Sequence, residues 1–272
     1  SQSCSAAAKR REWQRMLELN NINTSFNKGT ADEMQLFNNF NFKVNDGDFI
    51  SIVGSNGSGK TTLLNLICGT LFPDSGSILL DGKDITSLCE YKRARSIGRV
   101  FQDPKMGTCS ELTVLENFAL ADNKNKPYGL STAVSHERIE YYRELLSQCG
   151  MGLENRMNTP VGLLSGGQRQ AMALIIAGMT NVKLLILDEH TAALDPKSSE
   201  TIMELTDKLV REKNLTAVMV THNLRFAVNY GSRLVMMHSG SVVLDRAGEE
   251  KANTKVSDIL EIFNDISIEC GN

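Results

Sequence analysis

The chain has 272 residues, 41% of them hydrophobic and 22% charged, with a formal net charge of -3. This length allows one large domain, or one domain carrying an inserted subdomain, and the apolar share is enough for a substantial core. The slightly acidic balance does not suggest a nucleic-acid surface, and the basic clusters at Lys9, Arg10, Arg11 and at Lys92, Arg93, Arg95 read as solvated faces.

Residues 1–15, "SQSCSAAAKRREWQR", lack the continuous apolar stretch of a secretory signal and read as an extension outside the fold, with a natural beginning at Met16. "LELNNINTSF" and "LFNNFNFKV" alternate apolar and polar residues around the turn-like "NKGTADE", which predicts the hairpin of a sheet with one wet face. "DFISIVG" is a short β-branched run and predicts a buried strand. "KTTLLNLICGT" then places apolar residues at helical spacing, with Gly69 near its end. "GSILLDG" and "SIGRVFQD" predict two further strands. From about 104 to 180 the pattern turns helical, with "SELTVLENFALA" and "SHERIEYYRELLSQCGM" joined by the polar "DNKNKPYGLST". Strands return in "KLLILD", "TAVMVTH" and "RLVMMHSG", alternating with helical "PKSSETIMELTDKLVREKN" and "NLRFAVNYG". Strand–helix alternation argues for a mostly parallel sheet covered on both faces, with a helical insertion. Residues 245–272 begin polar and end with Ile259, Leu260 and Phe263 at helical spacing, which predicts a tail with a packing helix. No window approaches the ~18 apolar residues of a membrane span. The six cysteines, Cys4, Cys68, Cys89, Cys109, Cys149 and Cys270, match no zinc spacing and read as free thiols of a reducing compartment.

"GSNGSGKT", Gly54 to Thr61, fits G-x-x-x-x-G-K-[ST] between a predicted strand and a predicted helix. Glycine backbones let successive N–H groups approach an anion, and the helix N-terminus reinforces them. The loop residues Gly54, Ser55, Asn56, Gly57, Ser58, Gly59, Lys60, Thr61 and Thr62 are therefore the expected phosphate site. Lys60 supplies a cation to the β- and γ-phosphates, and the Thr61 hydroxyl suits Mg2+. "LLILDE" ends a buried run in two adjacent carboxylates, Asp188 and Glu189, which reads two ways. The strand simply reaches water there, or the carboxylates serve a magnesium nucleotide. The phosphate loop favours the second reading. Asp188 then helps hold Mg2+, mainly through a water, and Glu189 polarises a water at the γ-phosphate, with the cation letting the two negative charges coexist. "LSGGQRQ", Leu164 to Gln170, precedes a helical run. Ser165, Gly166, Gly167 and Gln168 make a second anion-binding nest at a helix N-terminus.

In order along the chain, "GSNGSGKT", Gln102 in "VFQD", "LSGGQ", "LLILDE", "AALD" and His222 in "VTH" resemble the ATP-binding subunit of an ABC transporter, from about Leu17 to Leu244. "DEHTAALDPK" and "RVFQDPKMGTCSELTVLEN" are similar to a bacterial branch of importer ATPases labelled tryptophan/tyrosine or other amino-acid type. The resemblance implies a P-loop NTPase fold: a RecA-like, mostly parallel core, an N-terminal antiparallel β subdomain and an inserted α-helical subdomain. It implies an ATPase domain over 16–244, two chains closing head to tail on two ATP molecules, and a nest at Ser165–Gln168 that serves the partner's nucleotide. By the same resemblance Phe26 stacks on adenine, Gln102 reaches Mg2+ and the attacking water, His222 contacts the γ-phosphate, and Asp195 couples the two sites. His190 stands where the family most often has proline and is expected to be a tolerated loop residue with no switching role.

The expected partners are a second copy of the chain, separate integral-membrane permease subunits and, indirectly, an extracytoplasmic substrate-binding protein. Together they would place the chain at the cytoplasmic face of the membrane, with no nucleic acid bound. Asp103 to Asn117 is the expected landing segment for a permease. The alternative is a soluble ABC ATPase of the iron–sulfur assembly type, which shares every nucleotide motif and would co-purify with a soluble scaffold instead of a permease. A nucleic-acid or ribosome-acting relative ranks last, because this chain carries no second cassette or zinc-spaced cysteines.

Overall fold

The computed structural model describes residues 15–124, 136–180 and 182–269. Residues 1–14, most of the loop "DNKNKPYGLST", Cys4 and Cys270 lie outside the described residues. Strands β1 (Arg15–Phe26), β2 (Met34–Asn45) and β3 (Phe49–Gly54) lead into helix α1 (Lys60–Cys68). After it come β4 (Ser75–Leu80), β5 (Lys83–Asp84), the one-turn α2 (Glu90–Arg93) and β6 (Ile97–Val100). The helical region holds α3 (Val114–Asp122), α4 (His136–Ser147) and α5 (Gly166–Met179). The chain then returns through β7 (Leu184–Asp188), α6 (Pro196–Glu212), β8 (Thr216–Val220), α7 (Leu224–Asn229) and β9 (Arg233–His238). It ends with β10 (Ser241–Ala247), α8 (Gly248–Ala252) and α9 (Val256–Glu269).

Two sheets result. One is antiparallel, in the order β2-β1-β4-β5, and the other runs β10-β9-β3-β8-β7-β6. In the second, β9, β3, β8, β7 and β6 are parallel and only the edge strand β10 runs against its neighbour. This is the mostly parallel sheet expected from the strand–helix alternation, beside the antiparallel β subdomain that the resemblance implies. Helix α1 lies between the sheets. Its Leu63, Leu64, Leu66 and Ile67 join one cluster with Leu17, Phe37 and Val44 of one sheet and Ile50, Ile186 and Val218 of the other. A helix buried on most of its circumference explains why its sequence shows so little amphipathic contrast. Arg93 is buried at its far end, where the guanidinium donates to the carbonyls of Leu66, Ile67, Thr86 and Leu88. Those include the orphan carbonyls of a helix C-terminus, where a cation is also favoured by the dipole.

Two boundaries differ from the sequence reading. Strand β10 was not foreseen and runs through residue 244, so the core continues to Ala247. Its side chains alternate between exposed and partly buried, as an edge strand's do, and both sets mix apolar with polar residues (Val243 outside, Arg246 inside), which hides the period. The helical subdomain does not close at 180. Ala171, Met172 and Ile175 of α5 pack with α3 and α4, while Ala173 and Leu174 pack on Val100, Leu185 and Leu187 of the parallel sheet. One helix therefore belongs to both units. The tail helix is present as α9, and Ile259, Ile262 and Phe263 pack against Ala227, Leu234 and Met236. Cys68, Cys89, Cys109 and Cys149 are free thiols. No helix among the described residues is long and apolar enough to cross a membrane.

Candidate nucleotide site

Strand β3 is buried along its whole length and sits between β8 and β9, so its C-terminal end opens at the middle of the sheet edge. Open α/β sheets bind ligands beyond the carboxyl ends of their strands. Gly54 is required by close approach: a Cβ there would lie 2.3 Å from the carbonyl oxygen of Met237 and 2.7 Å from Ser58 Oγ. Gly59 caps α1 at φ +103°, which a side chain rarely tolerates. The loop closes on Lys60, whose Nζ donates to the carbonyls of Gly54 (2.8 Å) and Ser55 (2.9 Å). Burial lowers the Lys60 pKa, and the nearby Glu189 carboxylate partly offsets that. Ser55, Asn56 and Gly57 are exposed at the loop's crest, while Ser58, Gly59 and Lys60 are buried beneath it.

The two carboxylates diverge. Asp188 continues the strand face of Leu184 and Ile186, beneath α1, and its Oδ2 accepts from Arg99 Nη2 at 2.7 Å. Glu189 takes φ +47°, a conformation uncommon for a residue with a Cβ, while its N–H donates to Val220 O at 2.9 Å. That turn carries its side chain off the pleat, where Oε1 meets His222 Nε2 at 2.7 Å. Each carboxylate has its own protein partner, and the partners lie on different strand ends. His222 follows β8 by two residues and is about half exposed, at 47%. Glu189 and His222 line one hollow with Gly57, Lys60 and Thr61. Asp188, Gln102, Thr61 and Thr62 line a larger cleft beside it, together with Phe26 and Arg99. Thr61 is common to both.

Phe26 is half-buried and lines both hollows, outside the core clusters. Strand β6 ends at Val100, so Gln102 stands exposed in the following loop. The carbonyl just before it, Phe101 O, accepts from Gln170 Nε2 of α5 at 3.0 Å. Ser165 is the N-cap of α5. Its Oγ accepts from Gln168 N, and Gln168 Oε1 accepts from Ser165 N, a reciprocal capping box. The Gly166 and Gly167 amides belong to the first turn, whose N–H groups have no intrahelical partner. Neither hollow that Thr61 lines includes Ser165, Gly166, Gly167 or Gln168. Asp195 is exposed and caps α6 by accepting from Ser198 N at 3.0 Å, a local function that accounts for it within one chain.

His190 is not a surface loop residue. It is 2% exposed, and its Nε2 lies 3.0 Å from Thr206 Oγ1. The single hydroxyl proton of Thr206 goes to Ile202 O, so the imidazole must be the donor and its proton sits on Nε2. Burial pushes its pKa down to about 4, leaving it neutral at pH 7. Arg99, Gln170 and the burial of His190 escaped the sequence reading. Arg99 alone left a signal, since it falls two residues after the buried Ile97 and hence on the same strand face.

The oxygens of Thr61, Gln102 and Asp188 on one cleft suit a hard divalent cation that keeps several waters and phosphate ligands. Among the described residues no group of three or more His, Cys, Asp or Glu could hold a metal ion.

A strand, a glycine loop and a lysine at a helix N-terminus, facing paired acidic and histidine side chains, define a P-loop nucleoside triphosphatase. The family model described as "ABC transporter" matches residues 37–192. The chain belongs to the ABC transporter family, as an ATP-binding and ATP-hydrolysing cassette. It is 48% identical over 248 residues to a tyrosine transport ATP-binding protein of Clostridioides difficile (strain R20291), covering 91% of this chain and 98% of the relative. Among solved structures it is similar to an ATP-binding cassette in its ADP conformation, with TM-score 0.75, 28% identity, and 95% and 99% of the two chains covered. It is also similar to a cassette solved as a dimer in a post-hydrolysis state with ADP and phosphate, with TM-score 0.71, 31% identity, and 85% and 98% covered.

Proposed function

We propose that this chain powers a separate membrane permease that imports an amino acid or a related small molecule, with an aromatic amino acid as the first cargo to test. The contact that carries the hydrolytic part is Glu189 Oε1 on His222 Nε2 at 2.7 Å, beside Lys60 and Thr61. The cargo part rests on the likeness to the tyrosine-transport relative over nearly its whole length.

In this reading Lys60 meets the β- and γ-phosphates from within the loop. Thr61, Gln102 and Asp188 hold Mg2+, which when bound neutralises charge on the phosphates. Glu189, aimed by its turned backbone, polarises a water in line with the γ-phosphorus. His222 holds Glu189 and reaches the γ-phosphate. Phe26 stacks on the adenine. The nest of Ser165, Gly166, Gly167 and Gln168 completes the pocket of a second copy, so that ATP joins the two and hydrolysis releases them. Asp195 couples the two sites across that junction. The permease lands on Asp103 to Asn117, where Met106 stands 68% exposed, and an extracytoplasmic binding protein delivers the cargo to it. These partners hold the chain at the cytoplasmic face of the membrane.

Co-expression with the neighbouring permease and reconstitution into vesicles tests this. ATP-dependent uptake of labelled tyrosine or tryptophan is expected. Co-purification with a soluble scaffold, and ATPase activity indifferent to the permease, would instead select the assembly-type reading.

A further inference from the structure

We infer that Arg99 is a positioning residue for metal–nucleotide loading: its guanidinium occupies one oxygen of Asp188 and makes any divalent ion share that carboxylate with a fixed cation. The inference rests on the proposed assignment of Asp188 to the metal.

Arg99 and Asp188 lie on neighbouring strands, β6 and β7, and both point to the face that α1 covers. The rows they extend, Ile97 and then Leu184 and Ile186, are buried and apolar. At the carboxyl edge of the sheet the rows switch to this one ion pair, 13% and 15% exposed. Structural demand alone does not explain the switch, because a shielded ion pair gains little over apolar residues of similar volume. Its place does: Arg99 lines the same cleft as Thr61, Gln102 and Asp188.

The guanidinium is held in a defined pose. It lies 4.8 Å from the centroid of the Phe101 ring, and Nη2 reaches Asp188 Oδ2. Its Nε is buried without a hydrogen-bond partner, so Asp188 is the only acceptor the structure gives this side chain among the described residues. Only one carboxylate oxygen is engaged, which leaves Oδ1 as the oxygen that would serve a divalent ion. A dication at that carboxylate feels repulsion from Arg99 as well as attraction from Asp188. Bare metal is therefore disfavoured, and a nucleotide, bringing its own negative charge, tips the balance. The site loads metal together with ATP.

The test is the Mg2+ concentration needed for half-maximal binding of a fluorescent ATP analogue, with Mn2+ binding in the absence of nucleotide followed by electron paramagnetic resonance. Arg99→Met, or Arg99→Gln if the first does not fold, is expected to lower the half-saturating Mg2+ by about tenfold. It should also strengthen nucleotide-free Mn2+ binding, while Arg99→Lys, which keeps the charge, stays near wild type. A merely structural pair would change stability without moving either metal titration. Half-saturation within about twofold of wild type in the neutral variant overturns the inference. Asp188→Asn separates the two layers. If it shifts the Mg2+ titration and the neutral Arg99 variant does not, the inference about Arg99 falls alone. If Asp188→Asn shifts nothing, the assignment of Asp188 falls and the inference with it.

Discussion

Lowering the pH from 7 to 5 is expected to destabilise this fold by about 2 kcal/mol through one side chain, His190. The imidazole is 2% exposed and donates to Thr206. Burial takes its pKa from an ordinary 6.5 to about 4 in the folded chain. Between those values the unfolded chain binds a proton that the folded chain refuses, so stability rises with pH across the window. The contribution is fully present above 6.5, declines as the pH falls, and levels off below about 4. Integrated over the whole window it amounts to about 3 kcal/mol, of which about 2 kcal/mol is lost by pH 5. The assay is urea unfolding at both pH values, for wild type and for His190→Gln. The glutamine amide can still donate to Thr206 but does not titrate. Carboxylates titrate alike in the two proteins, so the difference between their pH responses isolates His190. Wild type should lose about 2 kcal/mol more than the variant, equivalent to about 4–8 °C in melting temperature for a chain of this size. Equal losses to within about 0.5 kcal/mol would refute the argument, because the histidine would then be as solvated folded as unfolded.

Glu189→Gln is expected to keep ATP affinity, reduce turnover by about a hundredfold or more, and accumulate an ATP-bound dimer on gel filtration; a monomer under those conditions counts against the shared site. Lys60→Ala should weaken ATP binding by about 2–3 kcal/mol, read by calorimetry, because a charge-assisted contact to phosphate is lost; unchanged affinity contradicts the loop assignment. Gly54→Ala should destabilise the protein by at least about 2 kcal/mol, since the new methyl would meet Met237 O at 2.3 Å and a strand backbone cannot retreat; a melting temperature equal to wild type would exclude that contact.

Local order was legible in the residues alone. A β-branched run, then glycines, then Lys-Thr before an apolar helix defines the phosphate loop, because neighbours in sequence decide backbone sterics and the helix start. The capping box of Ser165 and Gln168 is legible for the same reason, since its partners are three residues apart. The alternation of strands and helices sets the parallel core, and the order of the motifs points to the family. Tertiary structure decided which charges meet. Arg99 and Asp188 are 89 positions apart in the chain and come together only because β6 and β7 pair in one register. His222 reaches Glu189 because β8 ends beside β7 and the backbone at Glu189 turns to φ +47°. His190 looked like a loop residue and is buried because α6 packs over it, bringing Thr206 within hydrogen-bond reach. Periodicity and spacing report which face a residue takes on its own element. Pairing between elements depends on register and helix placement, and those follow from the packing of the whole core.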